Sequence, residues 1–545
     1  MSVDIVAENA KPGTYTLMDM NPGSIEGDLS VAGFARSVSK NIGETIQFCV
    51  TGPATKIHIF RMGYYNGRNF RQITTITNTP TDQPELVQIQ SSNGGTTATA
   101  WSVTAEWTIP EDAVSGIYFA MIRNADDNDA FYAGPFVVRD DDAEADIIYK
   151  TSDTTWGSAY NYYGTKQSPV GKNFYGVGGV GNIMERAFAC SYHRPLITRG
   201  QVMQTYIWAC ELPLISFLER NGYSVKYISS VDLDRQGVDI LLKGSIFISS
   251  GHDEYWTQNM WDAAMSFRDE HAGRSIYMSG NEVFWRSRFE YRGDEVIQWC
   301  YKDTMPGPAG YDRIAGSPLD PVSWTGTWID TRWPERTPTE LLTNTRFGMN
   351  GIFDFNAEVP WSNHKVWWAS PLHDLPMDKL TIGGVLGFEA DHVAQVGPDE
   401  SFRILARYTR TAPGGLSDVN GERYDVRGDI EWGICSRRVV GGGLTIGFGT
   451  CQWSWSLDTT HDRGGGVPTN PSAQQFTINL LNDLGAAPAT LMPGRQVLAR
   501  NSLDEYGFIP GTPPRSDAQW FDSEGNGLAV YTLQGDETVP LNTIE

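Results

Sequence analysis

His252 and Glu254 stand two residues apart, directly after the apolar run Ile246-Phe247-Ile248-Ser249-Ser250-Gly251. On an extended backbone, residues two apart point to the same side, so this imidazole and carboxylate can exchange a proton or approach a metal together. Asp253 between them suits a helix N-cap, and a structural ion pair accounts for the same residues equally well. Asn281 and Glu282 follow a second apolar run, Arg274 to Met278, after Ser279-Gly280. Polar groups converging at neighbouring strand ends are how sites are assembled on α/β sheets, which tips the balance towards chemistry. Two tyrosine-rich stretches, Tyr160-Asn161-Tyr162-Tyr163-Gly164 and Asn173-Phe174-Tyr175-Gly176, come earlier. Loop tyrosines taken alone are more often packing residues than ligands.

The elements that must position these groups can be read from periodicity. Ile246 to Ser250 has the length of a buried strand, and Thr257 to Phe267 follows with helical spacing. Before it, Thr205 to Asn221 reads as a helix closed by Asn221-Gly222, and Ser224 to Ile228 as a strand. With Ile147 to Lys150 leading and Arg274 to Met278 following, the β-α-β alternation predicts a doubly wound, mostly parallel α/β sheet. The strand ends at Gly251 and Gly280 then open on one edge. Further strands are expected at Thr381 to Phe388 and Leu444 to Thr450, with a closing helix over Ala473 to Leu484. Tyr301 to Leu380, rich in Pro, Trp, Thr and Asp, reads as a long excursion over the cleft.

Upstream, from about Gly23 to Asp140, short alternating runs such as Thr45–Val50, Lys56–Phe60 and Gly116–Ile122 suggest an immunoglobulin-like β-sandwich. The acidic run Asp140-Asp141-Asp142-Ala143-Glu144 marks the boundary. The organisation expected is therefore all-β plus α/β: a sandwich over 1–142, an α/β catalytic domain over 143–490, and a C-terminal extension over 491–545.

Composition narrows the function. With 545 residues and a formal charge of −23, the chain repels phosphate backbones, so nucleic-acid binding is not expected. No apolar span is long enough for a bilayer, and Met1-Ser2-Val3-Asp4 lacks the form of a signal peptide, so the expected location is cytoplasmic. Six cysteines without a CxxC pair read as buried reduced thiols. The glycine-rich Gly176 to Gly181 has no phosphate-binding pattern, and neither GxSxG nor HExxH occurs. His392 and His461 are isolated and read as structural.

Five ordered motifs carry a resemblance: Thr155-Trp156-Gly157-Ser158-Ala159-Tyr160-Asn161, Ser191-Tyr192-His193-Arg194-Pro195, Ser250-Gly251-His252-Asp253-Glu254-Tyr255-Trp256, Gly280-Asn281-Glu282-Val283-Phe284-Trp285-Arg286 and Gly449-Thr450-Cys451-Gln452-Trp453-Ser454-Trp455. In that order they resemble the C-terminal domain of the N,N-dimethylformamidase large (beta) subunit. Ile25-Glu26-Gly27 through Tyr65 also resembles the β-sandwich that precedes it. The resemblance implies a glutamine-amidotransferase-like α/β fold and a mononuclear ferric ion held by two tyrosinates and a glutamate, hydrolysing small N-alkylated amides. It assigns Tyr160, Tyr175 and Glu254 to the metal, and His252, Asn281 and Glu389 to catalysis. Three anionic oxygens suit hard ferric iron.

Asp253 departs from the proline common there in the family, and Gly176 from an acidic residue. The second tyrosine is therefore open to Tyr192 or Tyr206 in place of Tyr175. The resemblance also implies a small accessory subunit, with a homo-oligomer as the other arrangement. Zinc using His252 and Glu254 is the alternative metal. A non-catalytic glycan-binding or structural protein is the alternative function.

Overall fold

A computed structural model describes residues 4–19, 31–89, 94–123, 131–159, 163–164, 169–170, 172–177, 185–196, 206–303, 320–329, 337–349, 355–360, 379–386, 389–393, 401–416, 426–462, 469–495, 497, 520–521, 527–528, 530–534 and 537–541. The protein is mixed α/β with a predominance of strand. Among the described residues no helix is long and apolar enough to cross a membrane.

The N-terminal strands are β1 (Ala32–Ala35), β2 (Ser39–Asn41), β3 (Thr45–Thr51), β4 (Lys56–Met62), β5 (Phe70–Thr77), β6 (Ala105–Thr108), β7 (Gly116–Arg123) and β8 (Phe131–Arg139). They form two sheets, ordered β1-β3-β6 and β2-β8-β7-β4-β5. Phe48 of the first and Phe136 of the second meet at 5.8 Å between ring centroids, so apolar faces of the two sheets pack on each other. Between β8 and the next strand, the acidic run is a tethered turn. Arg139 pairs with Asp141, and Lys226 donates to the carbonyls of Asp140 and Ala143.

The larger sheet contains β9 (Ala145–Lys150), β10 (Val225–Ile228), β11 (Gly244–Ser250), β12 (Arg274–Met278), β13 (Thr345–Met349), β14 (Ala390–Val393), β15 (Ser401–Leu416), β16 (Val426–Arg438) and β17 (Leu444–Gly447). Its order is β10-β9-β11-β12-β17-β16-β15-β13-β14. The first five are mutually parallel; from β17 onward each neighbouring pair is antiparallel. Ile246, Phe247 and Ile248 are all buried, so β11 is covered on both faces, which is why it reads as a continuous apolar run. Ser250 is paired with Met278, and the polar residues after β11 and β12 therefore emerge side by side.

Several boundaries differ from expectation. The helix after β11 spans Gln258–Asp269, and Thr257 caps it, its hydroxyl accepting from the Met260 amide. Asp253 is not its cap. Tyr255–Thr257 first makes a short strand parallel to Trp285–Ser287, which moves the helix start beyond the reach of Asp253. Asp253 instead lies buried, 2.6 Å from Lys150 Nζ, and accepts from Trp256 Nε1. The expected helix over Thr205 to Asn221 divides into Ile207–Cys210 and Leu212–Arg220, because Pro213 lacks an amide hydrogen and begins a new helix. The expected strand at Thr381 to Phe388 runs from Lys379 to Leu386 and pairs with Phe355–Pro360, outside the large sheet. Most of the Tyr301 to Leu380 excursion and of the C-terminal extension lies outside the described residues.

Candidate active site

The site begins where β9 and β11 end. After β9 the chain passes through Thr151, Ser152 and Asp153, all buried, into a π-helical turn over Thr154–Ala159, a form that recurs at functional sites. Glu211, between the two short helices, fastens this turn: its Oε1 accepts from the Ser152 amide and hydroxyl and from Trp156 Nε1. Gly251 ends β11 with φ +92°, and a Cβ there would stand 2.7 Å from Ser152 Oγ. A glycine is thus required for the close approach of the two strand ends. Thr155 Oγ1 then accepts from the Glu254 amide at 3.1 Å, fixing the backbone of the candidate ligand.

Burial lifts the Glu211 carboxyl to about 8, against the hydrogen bonds from Ser152 and Trp156. Between its ordinary 4.5 and that value, the folded chain keeps a proton that the unfolded chain has released. Stability contributed by this group therefore falls as pH rises through the window. Glu211→Gln, which mimics the protonated form, is expected to flatten the dependence of the urea midpoint on pH between 5 and 8. An unchanged slope in the variant would remove Glu211 as its source.

Glu254 is the centre of a buried polar group. Its Oε1 accepts from the Tyr175 hydroxyl at 2.7 Å and from Trp285 Nε1 at 2.9 Å. Its Oε2 is buried and has no hydrogen-bond partner among the described residues. His252 Nε2 lies 3.7 Å from that oxygen and 3.5 Å from Glu389 Oε2. Burial works to lower the His252 pKa, but the charge and hydrogen bond of Glu389 and the charge of Glu254 outweigh it and raise the value. Burial raises the Glu254 carboxyl, with His252 and Lys302 opposing. Asn281 is buried in the left-handed region at φ +52°, its amide donating to Asp391 Oδ1 at 2.7 Å. Glu282, also buried, is held well above the usual carboxylate range by burial and then by the charge of Asp253.

Of the six residues assigned from sequence, the structure gathers His252, Glu254, Glu389 and Tyr175 and sets Asn281 on the adjoining strand end. Tyr160 lies outside the described residues; its neighbour Ala159 accepts from the Phe174 amide, beside Tyr175. Of the alternatives, Tyr192 donates its hydroxyl to Asp153 at 3.0 Å, and Tyr206 stands at the start of Ile207–Cys210. Among the described residues, no group of three or more His, Cys, Asp and Glu side chains is arranged to hold a metal ion. His461 stacks on Trp455, and His392 accepts from the Glu431 amide, both structural settings.

Lys302 was not anticipated. Fully buried, its Nζ sits 3.5 Å from the Tyr175 ring centroid, 4.4 Å from that of Trp285 and 5.3 Å from that of Tyr255. Burial lowers its pKa to about 7, with the Glu254 charge working the other way. One lysine after Cys300-Tyr301 has no periodic or motif signal. Its role is visible only once three rings and a carboxylate surround it.

Comparison with known proteins matches residues 56–466 to the family described as N,N-dimethylformamidase beta subunit-like, C-terminal. The chain belongs to this family. It is 32% identical over 102 residues to the N,N-dimethylformamidase beta subunit of Paracoccus aminophilus, covering 17% of this chain and 13% of that protein. It is 26% identical over 216 residues to the N,N-dimethylformamidase beta subunit of an Alcaligenes species, covering 34% and 28%. The matched segments thus span less than a third of either relative. A solved domain, VCBP3 domain 1 from Branchiostoma floridae, covers 21% of this chain and 97% of its own at 11% identity with a TM-score of 0.13. Within this dimethylformamidase-like chain, Glu254, Tyr175, His252 and Trp285 all fall inside the matched region.

Proposed function

We propose that the chain hydrolyses the carbon-nitrogen bond of small N-alkylated amides at a mononuclear ferric ion held by Tyr160, Tyr175 and Glu254. The observation that carries this is the approach of the part-buried Tyr175 phenol to a buried carboxylate at 2.7 Å, with the second carboxylate oxygen left without a hydrogen bond among the described residues. Hard anionic oxygens suit ferric iron, and a buried carboxylate oxygen without a donor calls for a cation. When bound, the ion would act as a Lewis acid on the amide carbonyl and would draw down the phenol pKa values.

The side chains then have separable tasks. His252, between Glu254 and Glu389, takes the proton of the attacking water and passes it to the departing amine, with Glu389 stabilising the imidazolium. Asn281 donates to the substrate oxygen as charge develops there. The rings of Tyr255 and Trp285 exclude water and accept the alkyl groups, while Lys302 balances the carboxylates.

Numbered by chain position, the parallel strands run 2-1-3-4-5, an order that supports a doubly wound α/β domain with its ligand crevice between β9 and β11. Two facing sheets support an immunoglobulin-like sandwich, with domains over 1–142 and 143–490 and an extension beyond. The relatives' naming as beta subunits supports a small accessory subunit, and six buried cysteines that form no disulfide suit a reducing, cytoplasmic setting.

The test is elemental analysis of the purified chain together with release of dimethylamine from N,N-dimethylformamide. About one iron per chain, a visible tyrosinate-to-iron absorption and turnover are expected. A folded, colourless, metal-free protein with no amide turnover would point to a binding or structural role.

A further inference from the structure

The turn Gly280–Val283 is strained, and something must hold it. Asn281 and Val283 have φ of +52° and +54°, and for a β-branched residue the latter is an outlier. Such conformations persist only where surrounding contacts impose them. The following backbone is clasped to the site: Val283 donates to the Asp253 carbonyl, and Phe284 and Trp285 both donate to that of Glu254. On the other side the turn presses against Glu389, the residue just before β14. A Cβ at Gly280 would lie 1.9 Å from the Glu389 carbonyl oxygen, leaving no room for slippage.

Asp391 joins the two. It is buried, two residues beyond Glu389, and its Oδ1 accepts from the Asn281 amide at 2.7 Å while Oδ2 accepts from the Thr345 hydroxyl at 3.0 Å. Its own amide donates to the Gly449 carbonyl, anchoring this start of β14 to the end of β17. Glu389, Glu282 and His252 are the ionisable groups facing it. One of its oxygens thus holds the Asn281 turn and the other holds Thr345 of β13, and neither makes an ion pair with a lysine or arginine among the described residues.

We propose that Asp391 is a positioning residue: its carboxylate locks the strained Asn281 turn to the start of β14, so that the Asn281 and Glu389 side chains keep fixed places in the site. This rests on the amide-hydrolase reading. The test compares Asp391→Leu with Asp391→Asn in the full-length chain, using N,N-dimethylformamide as probe and hydrogen exchange at residues 280–285 as an independent readout. D391L is expected to lower kcat about 10- to 100-fold with KM changed less than about threefold, and to expose the Asn281 amide to exchange. D391N, whose side-chain oxygen still accepts from that amide, is expected to restore most of kcat and the protection. Thr345→Val, a milder change, serves if D391L does not fold, and is expected to lower kcat and protection together. Full kcat in D391L, or equal losses in D391L and D391N, would overturn the proposal. If the native chain itself does not turn over the amide, the functional reading fails, and exchange alone decides: retained protection of Asn281 in D391L overturns the positioning role.

Discussion

Glu254→Ala is expected to give a chain that retains its fold, carries no iron, and hydrolyses N,N-dimethylformamide at least about a hundredfold more slowly. The substitution removes the one carboxylate on which Tyr175, Trp285 and His252 converge. It also leaves the Tyr175 hydroxyl and Trp285 Nε1 without their acceptor, at a cost of about 1–3 kcal/mol in stability. The backbone of residue 254 stays in place, because its amide bonds to Thr155 and its carbonyl receives Phe284 and Trp285. Glu254→Gln separates the two effects. An amide oxygen still accepts from Tyr175, so stability should be kept, while a neutral ligand binds ferric iron poorly. Iron content, visible absorption and urea midpoint of the two variants check this. A Glu254→Ala protein that keeps full iron and turnover would sink the assignment.

Glu219→Ala is expected to be the most destabilising single change, by about 3–5 kcal/mol. Arg61 of β4 and Glu219 of the helix Leu212–Arg220 are both fully buried and paired twice, at 2.8 and 2.9 Å. Asn9 and Tyr227 also donate to the same carboxylate, so one side chain ties the N-terminal segment, strand β4 and the larger sheet together. Its removal leaves a buried guanidinium that still bonds to the Met62 and Ser115 carbonyls and the Tyr65 hydroxyl but has lost its paired carboxylate, so its desolvation is only partly offset. Against a typical stability of about 5–15 kcal/mol, that loss is large. Replacing both partners, Arg61→Met with Glu219→Leu, is expected to be less damaging than Glu219→Ala alone, since no unpaired guanidinium is left buried and Glu8 keeps Lys11 and Arg71. Urea denaturation of the single and double variants measures it; a double variant no better than the single would show that the pair contributes by shape, not charge.

What could be read in advance follows local rules. The central strands could be identified because β11 and β12 are buried on both faces and so are continuously apolar. Their parallel register then placed Gly251 and Gly280 side by side, bringing His252 and Glu254 near Asn281. The family resemblance added Tyr175 and Glu389, which the structure sets beside Glu254 and His252 respectively. Helix starts were less legible. Asp253 has the chemistry of a cap, but the three-residue strand after it and the ammonium of Lys150 decide its role.

By itself, then, the sequence determined the strand ends and the polar residues they carry, because hydrophobic periodicity and glycine placement are local consequences of burial and turn geometry. Only the tertiary structure decided which ionisable groups are desolvated together. Lys302 over three rings, Glu211 beneath the turn after β9, and Asp391 on the Asn281 amide have no periodic signature and come from distant parts of the chain. Their chemistry is set by the removal of water and by the charges left facing each other, and both arise only when the chain has packed.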